Sequence, residues 1–475
     1  MQSLNKVIPI DIKASALIWM ISAGVITLSA LLLVAFGIKA WAILGLILFL
    51  YAIIRFQLFS LCFLFLTATP VTILFSGIKS IFIYSVALLI ICTWLIRKLI
   101  TRNAKIEYSI QLIFFALAFL GVASFSVLHN ELTASGFVGF IKLIIFFVLI
   151  CIIYDLYQPR YTFILMFSII APILIFSLLL FAKFAGTKSL VSILLLYRNK
   201  ATPFGWPVNI NAFAADMVMV LPFCWALFIW SKKRWLRFVS GIISVALTLS
   251  LFITAARAAL AGFALTTVFF FIWARKTRYF IVIIVVVLSI LALYPNILTL
   301  FSLAFRVEGG TTGRDIVWAD TGTLILQNFW FGIGIRNFQE VYTREFAFIH
   351  WRNRLIPHDA HNQVLDWVVR LGIMGLPLIL ILYYFSIKSG MNVLGKVKNR
   401  EDKGIIYGIF GGIIAVCGRS LFESGAMLLA GVYLFPAIIY WTMLIMLMKL
   451  DALDKLPEKG LFLEFNGGRQ ALGKI

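Results

Sequence analysis

Long apolar runs, repeated along nearly the whole chain, constrain this sequence more than any other feature. They fall at roughly 14–36, 40–54, 56–75, 79–96, 110–128, 136–154, 161–183, 211–230, 238–254, 257–274, 279–304, 363–387, 404–418 and 428–448. A helix perpendicular to a bilayer needs about 20 apolar residues, and several of these runs are shorter. The pairs around Arg55 and near Ala255 therefore read as re-entrant or broken helices, and the expectation is 12 to 14 spans. Lipid offers the backbone no hydrogen-bond partners, so every span must be helical. Composition agrees: 63% of the 475 residues are hydrophobic and 13% charged, against about 25% charged in soluble domains. The chain thus reads as an all-α polytopic membrane protein, not a soluble domain.

The first run, Ala14 to Phe36, follows a polar Met1 to Lys13 and is too long for the core of a cleaved signal peptide, so it is expected to be a span. Cys62, Cys92, Cys151, Cys224 and Cys417 sit in apolar stretches with no metal-ligand spacing, which predicts small buried hydrophobes and no disulfide framework.

The net charge of +22 comes from 41 Lys and Arg against 19 Asp and Glu. In a soluble chain such an excess would point to nucleic acid. Here it sorts by connection: Arg97 to Lys105 carries four basic residues, Lys232 to Arg237 four, Arg275 to Arg278 three and Lys388 to Lys403 five. His129 to Ser135 carries no Lys or Arg, and Arg419 to Met427 carries only Arg419. Basic residues accumulate on the cytoplasmic side. The alternation therefore predicts both termini inside and the long segments 184–210 and 304–362 outside. The expected organisation is an N-terminal transmembrane bundle at 1–304, a large outer loop of short helices at 305–362, C-terminal transmembrane helices at 363–448 and a cytoplasmic tail at 449–475.

The outer loop holds Arg306, Arg314, Arg336, Arg344, Arg352 and Arg354 and no lysine. A guanidinium binds phosphate bidentately and keeps its charge, which lysine does less well. The alternative is pairing with Glu308, Asp315, Asp320, Glu340, Glu345 and Asp359 in the same loop. Arg257 stands among Ala255, Ala256, Ala258 and Ala259 between two apolar runs. An ionisable residue at membrane depth usually faces a polar cavity, and small neighbours let a head group approach; the alternative is snorkelling to the interface. Arg314 follows Gly309-Gly-Thr-Thr-Gly313 ahead of a helical segment, where backbone N–H groups and a dipole end favour an anion.

His361, in Pro357-His358-Asp-Ala-His361-Asn362-Gln363, stands where the loop returns to the membrane. Histidine suits proton transfer near neutral pH. A helix N-terminus is expected to lower its pKa and keep it neutral. A capping role, or a metal site with His358 and Asp359, remains open, although no further close-spaced His or Cys completes such a site. Glu423 reads as an ion-pair partner of Arg419.

Taken in order, Thr254-Ala-Ala-Arg257, Gly313-Arg314 leading to Trp318, Asn328-Phe-Trp-Phe-Gly332-Ile-Gly334-Ile-Arg336-Asn-Phe338, and His361-Asn362-x-x-Leu365 running to Gly372-Ile-Met-Gly375-Leu376 resemble the O-antigen ligase superfamily. This superfamily includes O-antigen ligases, polysaccharide polymerases and protein O-oligosaccharyltransferases. The resemblance covers about Thr254 to Leu376. The family often has Ser-x-Ser-Arg at the first motif and an acidic residue in place of Arg370.

The resemblance implies a GT-C-like membrane glycosyltransferase of the bacterial inner membrane with a periplasmic active site. It implies a role in lipopolysaccharide biosynthesis: inverting, metal-independent transfer of a glycan from undecaprenyl diphosphate to a lipid A-core sugar hydroxyl. Arg257 and Arg314 match the diphosphate-binding arginines and His361 the catalytic histidine; Arg336, Arg352, Arg354 and His358 are possible additions. No cofactor, no metal and no nucleic acid is expected. A polymerase on the same carrier is the nearest alternative. A transporter is more distant, because no internal repeat is evident and the polar residues gather at the outer face, not the midplane.

Overall fold

The computed structural model describes residues 60–67, 79–100, 106–130, 134–185, 210–254, 256–273, 313–335, 337–350, 357–424, 427 and 434–453. Among them the regular structure is helical, with no strand. The expected spans at 14–36, 40–54 and 279–304 lie outside the described residues, as do Arg306 and the 184–210 loop apart from its two ends.

The described helices are α1 (Lys79–Ile100), α2 (Ile110–His129), α3 (Ala134–Leu156), α4 (Thr162–Ala185), α5 (Ile210–Trp230), α6 (Arg234–Thr254), α7 (Arg257–Val268), α8 (Arg314–Gln327), α9 (Phe338–His350), α10 (Gln363–Leu371), α11 (Gly375–Lys396), α12 (Arg400–Ser420) and α13 (Leu434–Asp451). Six described segments are long and apolar enough to cross a membrane: Ile110–His129, Ala134–Leu156, Pro159–Leu179, Asn211–Trp230, Arg234–Thr254 and Gly375–Lys396. The chain is an all-α polytopic membrane protein.

The break expected near Ala255 is present: α6 ends at Thr254, Ala256 is extended (φ −77°, ψ 92°), and α7 starts at Arg257. One expected run proves to be interrupted. The run 363–387 is two helices, because Gly372 adopts φ 70° between α10 and α11. Only glycine takes that conformation without strain, so α10 is a short helix of its own and the span begins at Gly375.

At the centre, α12 packs against α5, α7, α11 and α13. Its glycines allow backbone-to-backbone contact. A Cβ on Gly412 would lie 2.3 Å from the Met219 carbonyl oxygen of α5, and one on Gly262 of α7 would lie 2.4 Å from the Ala415 carbonyl oxygen. A Cβ on Gly408 would meet Phe223, and the Thr266 hydroxyl donates to the Gly411 carbonyl at 2.7 Å. Both pairings run antiparallel, so the N-terminal ends of α5 and α7 lie beside the C-terminal end of α12.

The bundle has chemically distinct ends. At one, Lys98 pairs with Asp155 at 3.0 Å, Lys449 with Glu107 at 2.7 Å, and Lys396 with Asp451 at 2.9 Å. There too the Lys232 N–H donates to Glu401 at 3.0 Å. Three of the basic connections of the sequence thus meet at this end, through Lys98, Lys232 and Lys396; the fourth, 275–278, lies outside the described residues. At the other end lie the C-terminal ends of α2 and α12 and the layer formed by α8, α9 and α10. Val317, Leu324, Phe338, Tyr342, Phe346 and Val369 form a buried core within that layer.

Candidate functional site

The layer is held by the C-terminal end of α10. The Ile333 and Gly334 N–H groups donate to the carbonyls of Val369 (2.8 Å) and Arg370 (3.1 Å), and the Ile373 N–H donates to that of Phe329 (2.7 Å). The Ser126 hydroxyl also donates to Arg370 (2.7 Å), and the Asn130 amide donates to Gly332 (2.9 Å), tying the layer to α2. The Asn328–Phe338 motif thus satisfies carbonyls that a helix end leaves unpaired.

The N-terminal end of α10 is capped by Asn362, whose side-chain oxygen accepts from the Val364 and Leu365 N–H groups at 2.9 and 3.1 Å. Its amide donates to the Leu421 carbonyl at 3.0 Å, docking α10 on the end of α12. The cap is therefore Asn362, and His361 precedes it. His361 has φ 49°, a conformation that a non-glycine residue holds at a cost of about 1–3 kcal/mol. The Asp359 carboxylate accepts from the His361 N–H at 2.9 Å and helps hold the turn.

This turn aims the ring at Glu423. Nδ1 of His361 lies 2.8 Å from Glu423 Oε1 and 3.4 Å from Asp359 Oδ1. The other oxygen of Glu423 accepts from Arg314 Nη2 at 3.0 Å and from the Asn211 amide at 3.4 Å. Arg314 Nη1 donates to the Phe422 carbonyl at 2.6 Å. Glu423 is fully buried, whereas the side chains of His361 and Arg314 are 31% and 19% exposed. With Nδ1 on a carboxylate, the ring presents Nε2 as its outward nitrogen.

Burial of His361 opposes its charged form, but the hydrogen bond to Glu423 and the charges of Asp359 and Glu423 outweigh burial and Arg314, so the ring's pKa is raised. The expected lowering by the helix terminus is overturned: two carboxylates, not the dipole, dominate. Burial would raise Glu423, but His361, Arg419 and Arg314 together hold it below the usual carboxylate range. Glu423 thus serves the site beyond its relation to Arg419. Asp359 is pushed up by burial and by Asp366.

Of the arginines expected at the site, Arg314 is in the cluster. Arg257 opens α7, five residues before Gly262; at 1.5 Å per residue it stands about 7.5 Å further along. The antiparallel register then brings it level with the residues just past Ser420, at the same end as Glu423. Arg336, Arg352 and Arg354 lie outside the described residues. His358 points elsewhere, with Nδ1 2.7 Å from Gln339 Oε1. Arg370 is structural: it pairs with Asp366 at 3.0 Å and donates to the Ile335 carbonyl.

Asp359, His361 and Glu423 offer donor atoms within 4.8 Å of one another, a set able to hold a cation. The Arg314 guanidinium beside Glu423 already supplies a fixed positive charge and opposes a second one there.

Residues 242–380 match the O-antigen ligase family model. That segment of the chain is similar to the O-antigen ligase superfamily. No curated protein matches it. The matched segment includes Arg257, Arg314 and His361 but neither Asn211 nor Glu423. With the membrane fold, it indicates a glycosyltransferase-like membrane enzyme with a ligase- or polymerase-like role.

Proposed function

We propose that the chain is an O-antigen ligase of the bacterial inner membrane, transferring a glycan from undecaprenyl diphosphate to a sugar hydroxyl of the lipid A core at the periplasmic face. The observation that carries this reading is the convergence of His361, Glu423 and Arg314 at the bundle end opposite the basic connections. That polarity supports a cytoplasmic basic end and a periplasmic site, with both termini cytoplasmic. The division into bundle, outer loop 305–362, C-terminal helices and tail belongs to the same reading.

The chemistry follows from the geometry. Neutral His361, with Nδ1–H donated to Glu423, takes the acceptor hydroxyl proton at Nε2 as that oxygen attacks C1 of the donor sugar. The C1–O bond to the diphosphate breaks on the opposite face, and the anomeric centre inverts. Glu423 stabilises the imidazolium that forms. The leaving diphosphate needs charge neutralisation rather than a proton, which Arg257 and the remaining N–H groups of Arg314 supply. No metal or cofactor takes part.

Purified chain in proteoliposomes, given labelled undecaprenyl-diphosphate glycan with either lipid A-core or a second carrier-linked glycan, tests the acceptor. Label passing to lipid A-core is expected. Label passing only to the second carrier-linked glycan would make the chain a polymerase. Glycan that crosses the membrane without transfer would make it a transporter.

A further inference from the structure

The turn after α8 carries an apolar surface that the site does not use. Leu326, Phe329, Trp330 and Phe331 are 77%, 39%, 65% and 42% exposed. The segment is rigid: it is hydrogen-bonded to the end of α10 and to Asn130, as described above, and the Asn328 amide donates to the Leu324 carbonyl at 3.0 Å. Its side chains are therefore held outward. Among the described residues of neighbouring α9, the exposed side chains are instead polar: Gln339, Glu340, Arg344 and Glu345.

A contiguous exposed apolar patch marks an interaction surface, and the surroundings of this one indicate its partner. The Phe331 ring packs against the His129 ring at the end of α2, tilted by 38° with centroids 4.7 Å apart. Just before it, α2 exposes Phe125 and Leu128. On the other flank the Ile373 N–H bonds Phe329, next to exposed Met374 at the start of α11. Both α2 and α11 are candidate membrane spans. The patch continues their outward apolar faces at the level where they end. Trp330 suits that level because an indole joins an apolar ring to an N–H donor, and Leu326, Phe329 and Phe331 supply apolar area beside it.

We propose that Leu326, Phe329, Trp330 and Phe331 form a lipid seat, by which the layer of α8, α9 and α10 rests in the phospholipid head-group region beside α2. The seat fixes the height of α10, and hence of the His361 turn at its far end, relative to the bilayer surface. It would serve any membrane-surface chemistry at the site.

The test places p-benzoyl-phenylalanine in the full-length chain at Trp330, separately at Leu326, and at Glu340 for comparison. Each variant is reconstituted into phosphatidylethanolamine and phosphatidylglycerol vesicles, irradiated, and its adducts are identified by mass spectrometry. Phospholipid adducts several-fold more abundant at 330 and 326 than at 340 are expected. Yields no greater than at 340, or adducts chiefly to a second copy of the chain, would overturn the proposal. Two probe positions keep the test decisive if one variant fails to fold, and neither readout depends on glycan transfer.

Discussion

At the residue scale, the pairing of His361 with Glu423 makes the pH dependence of the reaction informative. A base works when neutral, so a raised pKa places the acid limb of the rate profile higher than for an ordinary histidine. Glu423→Gln removes one of the two carboxylates that raise it, and leaves Asp359 alone against burial and Arg314. The acid limb should move to lower pH and the maximal rate should fall, measured as kcat/KM against pH. A loss of rate with an unmoved limb would mean that Glu423 acts only in folding. The cation question has its own measurement: with Arg314 at 3.0 Å from Glu423 Oε2, chelator treatment should leave transfer unchanged. Neither the partnership of His361 with Glu423 nor its strength was legible in the sequence, because the residues are 62 positions apart and Glu423 lies in a stretch that also offers Arg419 as partner. His361, Arg257 and Arg314 stood out as candidates because polar residues are conspicuous at the edges of apolar runs, and the structure brings His361 and Arg314 together on Glu423.

At the element scale, α10 is the piece that aims the site. Asn362 both caps it and docks it on α12. Asn362→Ala should therefore cost about 1 kcal/mol or more, the usual worth of a cap, seen as a lower thermal midpoint in detergent. Gly372→Val should be worse, because φ 70° is closed to a β-branched residue and a Cβ there would lie 2.1 Å from the Trp330 carbonyl oxygen. The separateness of α10 was hidden in a continuous apolar run, although Gly372 and Gly375 were its available signal. The break before α7 was easier to read, since Arg257 and its alanines interrupt the apolar pattern. The close approach of α12 to α5 and α7 was not legible at all: it depends on which of many glycines face a backbone, and that is decided only by packing.

At the scale of the whole molecule, the helical membrane class followed from the apolar runs, because lipid leaves the backbone no alternative. The two chemically distinct ends followed from the basic connections, and the ion pairs Lys98–Asp155, Lys449–Glu107 and Lys396–Asp451 gather at one of them. Cysteines placed at Lys233 and at His358 should therefore react oppositely with a membrane-impermeant maleimide on cells whose outer membrane is permeabilised. Label is expected at 358 and none at 233. The central claim is that the turn before α10 carries the proton transfer. Its most direct test is glycan transfer to lipid A-core in proteoliposomes containing His361→Ala, with insertion and thermal midpoint matched to the native chain. The rate should fall by about 10²- to 10⁴-fold, the usual worth of a positioned base; transfer at the native rate would contradict it.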